Sequence, residues 1–215
     1  MVWGTTTEVR DGRGHLTRSA RVVTGLELSP IKGCWSCGSV EHGAPYFASG
    51  WAAFVGCSLT HVDGFVLAAI SLRRRSRDSE LMPGPLPVGV DAEAVTTDPD
   101  LAQALAGRVL SPAEAGRIGA GMSRGADHAF LTAWTQKEAT LKALGAGLVI
   151  DPRKVETTPR SVGCSRVRVR LPAGERDFHA RSIHEASFGR PWVVTVVMPD
   201  VPRAHRATLR VVHVP

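Results

Sequence analysis

The sequence is poor in cysteine, in long apolar runs and in clustered charge, and each shortage excludes something. Four cysteines (Cys34, Cys37, Cys57 and Cys164) in 215 residues are too few for a disulfide scaffold. Reduced thiols and a cytoplasmic location are therefore expected. No apolar stretch approaches the ~18–20 residues that a membrane-spanning helix needs, so no membrane partner is expected. The opening residues, 1–8, lack both a positive segment and an apolar core, and no secretory leader is expected there. Basic residues outnumber acidic ones 26 to 20, for a net charge of +6, yet only Arg73-Arg74-Arg75 form a cluster. Such a surface suits polyanions in general, but it lacks the dense stripe usual in nucleic-acid binders.

What is present is globular. With 43% hydrophobic and 21% charged residues, wholesale disorder is excluded, and the length fits one domain or two small halves sharing a core. A short helix is expected within residues 14–26, with Leu16, Ala20 and Val23 on one side. The stretch from Cys34 to Pro45 reads as a loop. Extended runs follow at Ala52–Leu59 and Gly64–Ser71, joined by a tight connection at His61-Val-Asp-Gly64. The polar, Pro-rich residues 73–87 read as a linker, and Val88–Val95 as a short strand. Asp98-Pro99 starts a helix to about Leu110, and Ser111 with Glu114 forms a capping box for the next. The longest helix spans Asp127–Leu144 and is stopped by Gly145-Ala-Gly147. Strands close the chain at Val167–Leu171, Phe178–Ile183, Pro191–Met198 and Val211–Val212. Residues 63–70 and 189–197 echo each other as a turn followed by a buried strand. The expected fold is therefore α/β (α+β), built as two similar lobes, residues 1–85 and 86–215.

The long helix carries the sharpest chemical signal. Phe130, Trp134 and Leu141 mark a buried stripe, and Glu138 falls on it, with Lys142 one turn later. An inward acid needs a partner or a cation, and pairing with Lys142 is the ordinary explanation. Asp91 and Glu93 alternate with Val90 and Ala92 on a strand, so both carboxylates leave one face. If Glu138 packs against that face, three carboxylates converge, which is the donor set of a Mg²⁺ site. A separate donor set is Cys34-x-x-Cys37-x4-His42, perhaps with Cys57, which suits structural Zn²⁺ but lacks a second matched pair. It leaves open a basic zinc- or nucleic-acid-binding module built on the Cys34–Cys37 loop.

Gly89-Val-Asp91-Ala-Glu93, followed by Trp134-Thr-Gln-Lys137-Glu138-Ala-Thr-Leu-Lys142 and a Gly-rich end, resembles the signature of the 4′-phosphopantetheinyl transferase superfamily. Ser58-Leu-Thr60-His61-x-x-Gly64 resembles the family's Ser/Thr-His turn, and Cys34-x-x-Cys37-Gly with His42-Gly43-Ala44-Pro45 resembles a Cys-rich region of actinobacterial members. The pattern is similar to the larger, monomeric, pseudo-dimeric type that activates peptide and polyketide synthases, the surfactin-synthetase-activating type. The resemblance implies coenzyme A in a cleft between two lobes and transfer of its 4′-phosphopantetheine arm to a serine of an acidic apo acyl or peptidyl carrier protein, releasing 3′,5′-ADP. It implies that Asp91, Glu93 and Glu138 bind Mg²⁺, and that Glu138 takes the serine proton, directly or through a metal-held water. Lys142 would neutralise the pyrophosphate, which Asp91 meets through the metal. Thr60, His61, Gly43 and Ala44 occupy coenzyme A-contacting positions. Ala44 stands where the family pattern has lysine, which removes one cation usually near the nucleotide.

Overall fold

The structure, a computed structural model, describes residues 2–4, 11–34, 37–48, 54–72, 84–95, 99–119, 126–185, 190–200 and 212–213. The expected strand residues Ala52 and Val211, the Arg73–Arg75 cluster, the Asp98 cap, most of the 73–87 linker and the turn before Arg190 lie outside them. The strands are β1 (Val2–Gly4), β2 (Ile31–Gly33), β3 (Ala44–Tyr46), β4 (Val55–Val62), β5 (Phe65–Leu72), β6 (Gly89–Ala94), β7 (Val155–Ser161), β8 (Cys164–Leu171), β9 (Gly174–Glu185), β10 (Trp192–Pro199) and β11 (Val212–His213). The helices are α1 (Gly12–Thr24), α2 (Pro99–Val109), α3 (Pro112–Gly119) and α4 (Ala126–Ala143).

The chain is a mixed α/β protein. One sheet has the order β11-β1-β5-β4 and the other β6-β10-β9-β8-β7, while β2 and β3 form a separate hairpin. Pairing is antiparallel except between β1 and β11, which brings residues 212–213 back to the first sheet. α1 packs on the first sheet and α4 on the second.

Local chemistry accounts for most boundaries. Asp11 caps α1 by accepting from the Gly14 N–H at 2.8 Å, and the helix buries Leu16 and Ala20. Val23, expected on the same side, is exposed, as is Val22 beside it in the same turn. His61 and Val62 continue β4, so the connection is shorter than expected: Asp63 and Gly64 alone turn the chain, both at positive φ. Arg190 and Trp192 clamp the Asp63 carboxylate, with the Arg190 Nε–H at 2.5 Å and the Trp192 Nε1–H at 3.2 Å, tying this turn to β10. Ala44 and Pro45 pair in β3 rather than lying in the loop. The capping box forms as expected, with the Ser111 N–H donating to Glu114 Oε2 at 2.8 Å. α4 ends in paired bonds from Gly145 N to Lys142 O and from Ala146 N to Leu141 O, the Schellman arrangement.

The two sheets share a core. Val90 and Ala92 of β6, with Trp192, Val194 and Val196 of β10, pack against Val62, Leu67 and Ala69 of the first sheet. The backbone N–H of Val90 also donates to Ser58 Oγ of β4 at 3.0 Å. The opposite face of β6 and β10 is covered by α4.

Candidate active site

α4 can lie this close to β6 because residue 89 has no side chain. A Cβ at Gly89 would stand 1.7 Å from the Ala139 carbonyl oxygen, so any other residue would lift the helix off the strand. Alternation along β6 then sends Val90 and Ala92 into the inter-sheet core and Asp91 and Glu93 to the helix side. Glu138 and Lys142, one turn apart on α4, meet them there.

The contacts are specific. Lys142 Nζ lies 2.6 Å from Asp91 Oδ1, the same oxygen that accepts from the Thr60 hydroxyl at 3.1 Å. Trp134 Nε1–H donates to Glu93 Oε1 at 3.0 Å. Lys142 therefore pairs with Asp91 rather than with Glu138, and the ordinary explanation for an inward Glu138 fails. Asp91 is only 4% exposed, yet among the described residues its Oδ2 has no hydrogen-bond partner, and neither does the buried Oε1 of Glu138. Burial, and then the neighbouring Asp91 carboxylate, push the Glu138 carboxyl up to about 7. Burial likewise raises Asp91, against the pull of Lys142, and raises Glu93 together with repulsion from Asp91.

One lysine thus faces three desolvated acids. Buried carboxylate oxygens without donors, on groups held toward protonation by burial and mutual repulsion, are relieved by a hard divalent cation. The donor set fits Mg²⁺. The carboxylates are spread more widely than a closed all-protein cage: among the described residues, only Cys34, Cys37 and His42 bring three such donor atoms within 4.8 Å of one another. That openness suits an ion whose shell is completed by water and phosphate.

The remaining expected residues lie around this cluster. Thr60 is buried beneath Asp91, while His61, next on β4, faces outward and is held below its ordinary pKa by burial and by Lys142. Ala44 and Lys142 line one cavity of about 440 Å³, which Tyr46, Cys57, Val88 and Gly145 also border. Gly43, just before β3, is exposed and does not line it. A second cavity of about 500 Å³ opens on the other flank of α4 near His128 and His184, and none of the expected site residues lines it. Cys57 does not join Cys34, Cys37 and His42: its thiol donates to the Pro45 carbonyl at 3.3 Å, and burial pushes it up to about 12. Trp134 was expected only as core, but it is half-buried and orients Glu93. Its position one turn before Glu138 was the available signal.

The family description "4′-phosphopantetheinyl transferase superfamily" matches residues 87–197, just over half of the chain and the whole carboxylate cluster. The chain belongs to this superfamily, whose reaction is phosphopantetheinyl transfer. It is also similar to the crystal structure of a holo-(acyl-carrier-protein) synthase from Bacillus anthracis strain Ames in complex with coenzyme A (3′,5′-ADP). That likeness has a TM-score of 0.44 and 16% identity, and covers 54% of this chain and 97% of the other. No curated protein matches the chain. No helix among the described residues is long and apolar enough to cross a membrane.

Proposed function

We propose that the chain transfers the 4′-phosphopantetheine arm of coenzyme A to a serine of an apo acyl or peptidyl carrier protein, in a Mg²⁺-dependent reaction that releases 3′,5′-ADP. The observation that carries this reading is the meeting of Asp91, Glu93 and Glu138 beside Lys142, with two buried carboxylate oxygens left without a donor among the described residues. The competing reading, a zinc- or nucleic-acid-binding module, is not favoured, because the family match lies outside the Cys34–Cys37 loop and takes in all three acids.

Asp91, Glu93 and Glu138 would hold Mg²⁺, which when bound neutralises and orders the pyrophosphate of coenzyme A. Lys142 extends from the cluster into the wall of the cavity of about 440 Å³, where it neutralises phosphate charge. A bond forms between the carrier serine Oγ and the phosphorus bearing pantetheine, while the phosphoanhydride bond to 3′,5′-ADP breaks. The serine proton passes to Glu138, the carboxylate that α4 holds beside Lys142. Thr60 positions Asp91, Ala44 borders the coenzyme A phosphates from the cavity wall, and the outward-facing His61 and exposed Gly43 would reach them only from outside that wall. We assign the nucleotide side to residues 1–85 and the metal side to residues 86–215, as the lobes of a monomeric pseudo-dimer with coenzyme A between them. The net charge of +6 suits an acidic carrier.

The test is to incubate the protein with apo carrier proteins, coenzyme A and Mg²⁺ and weigh the carriers. A gain of one phosphopantetheine arm, abolished by chelation, is expected. Binding of Mn²⁺ as a paramagnetic stand-in gives a second readout that needs no turnover. Folded protein that modifies none of several carriers overturns the reading.

A further inference from the structure

We propose that Cys34, Cys37 and His42 form a Zn²⁺ site that pins the tip of the β2–β3 hairpin, independently of the transfer activity. Their donor atoms all lie within 4.8 Å of one another, and Cys37 Sγ is 3.3 Å from His42 Nε2. The hairpin creates this meeting from backbone geometry. Its ladder closes on the pair Gly33↔Ala44, so the next residues on each strand, Cys34 and Gly43, flank the loop. Gly43 adopts φ +107, and a Cβ there would stand 2.2 Å from the Gly33 carbonyl oxygen, so the chain can fold His42 back only through glycine. On the other side the Gly38 N–H donates to Cys34 O at 2.8 Å and the Cys34 N–H donates to Ser39 O at 2.9 Å. These bonds turn Cys37 back beneath Cys34.

The donor chemistry selects the metal. Two thiols and an imidazole offer soft and borderline ligands that Mg²⁺ and Ca²⁺ avoid and Zn²⁺ prefers. Three protein donors leave the fourth tetrahedral position to water, which makes the site open and exchangeable. The loop also needs such a clamp. Cys37, Gly38, Glu41, His42 and Gly43 are exposed, and Val40 is 64% exposed, so little buried apolar surface orders this tip. Metal binding free energy substitutes for the missing core. Because Ala44, Pro45 and Tyr46 leave the loop to line the cavity of about 440 Å³, the zinc would hold one wall of that cavity in place.

The experiment uses the full chain, purified without a histidine tag or chelator from zinc-supplemented medium under reducing conditions. Elemental analysis should find about one zinc per chain. Cys37→Ser and His42→Ala should each lose most of it, while Cys164→Ser, distant in the second sheet, should keep it. If the loop variants do not fold, cobalt substitution of the unaltered chain decides. A thiolate-to-cobalt charge-transfer band with the strong visible bands of tetrahedral cobalt supports the site, and an octahedral cobalt spectrum overturns it. Zinc-free protein that takes up no added zinc, or a Cys34–Cys37 disulfide that persists under reduction, also overturns it. Carrier loading is not among these readouts, so failure of the transfer reading leaves the result intact.

Discussion

Lys137 and Lys142 sit five residues apart on α4 and meet opposite circumstances. Lys137 is fully buried, and its ammonium donates to Glu114 Oε2 at 2.7 Å, to Pro152 O at 3.0 Å and to Val155 O. Glu114 in turn accepts from the Thr157 N–H at 2.7 Å and hydroxyl at 2.9 Å, and from the Ser111 N–H at 2.8 Å. Burial works to raise Glu114, but Lys137 and these donors overcome it and hold the carboxyl below its usual range. On the other flank Lys142 must answer for Asp91, Glu93 and Glu138, and Asp91 Oδ2 and Glu138 Oε1 find no hydrogen-bond partner among the described residues. A balanced buried network joins α4 to α3 and β7 and specifies structure. An unbalanced one raises the energy of the free protein until a cation or substrate completes it.

The largest effect should come from breaking the balanced flank. Lys137→Ala leaves Glu114 buried and unpaired, which costs about 3–5 kcal/mol, and denaturant unfolding should show the loss or no folded protein at all. A Lys137 variant of normal stability would erase the contrast between the two flanks.

On the unbalanced flank the same kind of change should spare the fold. Glu138→Gln removes a repelled charge and the proposed base, so turnover should drop by roughly 100-fold or more while the melting temperature holds or rises. A stable Glu138→Gln with near-normal turnover removes Glu138 from the chemistry.

Asp91→Asn should shift the Mg²⁺ titration of transfer upward by roughly tenfold, since a neutral oxygen replaces a charged ligand. An unchanged midpoint would make Asp91 a structural partner of Lys142 only.

The smallest effect is a pH dependence of stability without metal. Glu138 is held at about 7 in the fold against an ordinary value of 4.5. Below 4.5 both folded and unfolded forms are protonated and nothing is lost. As pH rises toward 7 the unfolded chain ionises first, so stability declines across that window and levels off above it. Asp91 and Glu93, also raised, act in the same direction. Melting curves in chelator should show the slope, and Mg²⁺ should flatten it. An equal slope with and without Mg²⁺ would mean that the ion does not bind these acids.

Much of the site was legible because two periodicities place it. Strand alternation put Asp91 and Glu93 on one face, and helical spacing put Glu138 and Lys142 on one side of α4. The capping role of Glu114 was equally local, since Ser111 lies three residues before it. Its second role, neutralising Lys137, was not legible, because the partner arrives from another helix through packing. β7 escaped notice for a related reason. Val155–Ser161 is a largely polar edge strand containing Pro159, and only Val155 and Thr157 are buried along it.

The sequence by itself determined the donor types and their local order: acids two apart on a strand, an acid and a lysine one turn apart on a helix, two cysteines and a histidine around a turn. It also determined the glycine at position 89, because a motif fixes which residue stands where. Only the tertiary structure decided which charge answers which. Sequence spacing paired Lys142 with Glu138, but the close seat of α4 over Gly89 gave the hydrogen bond of Lys142 to Asp91 and left Glu138 Oε1 without a partner among the described residues. Pairing of charges depends on distances of a few ångströms between elements far apart in the chain, and those distances exist only once the core has packed.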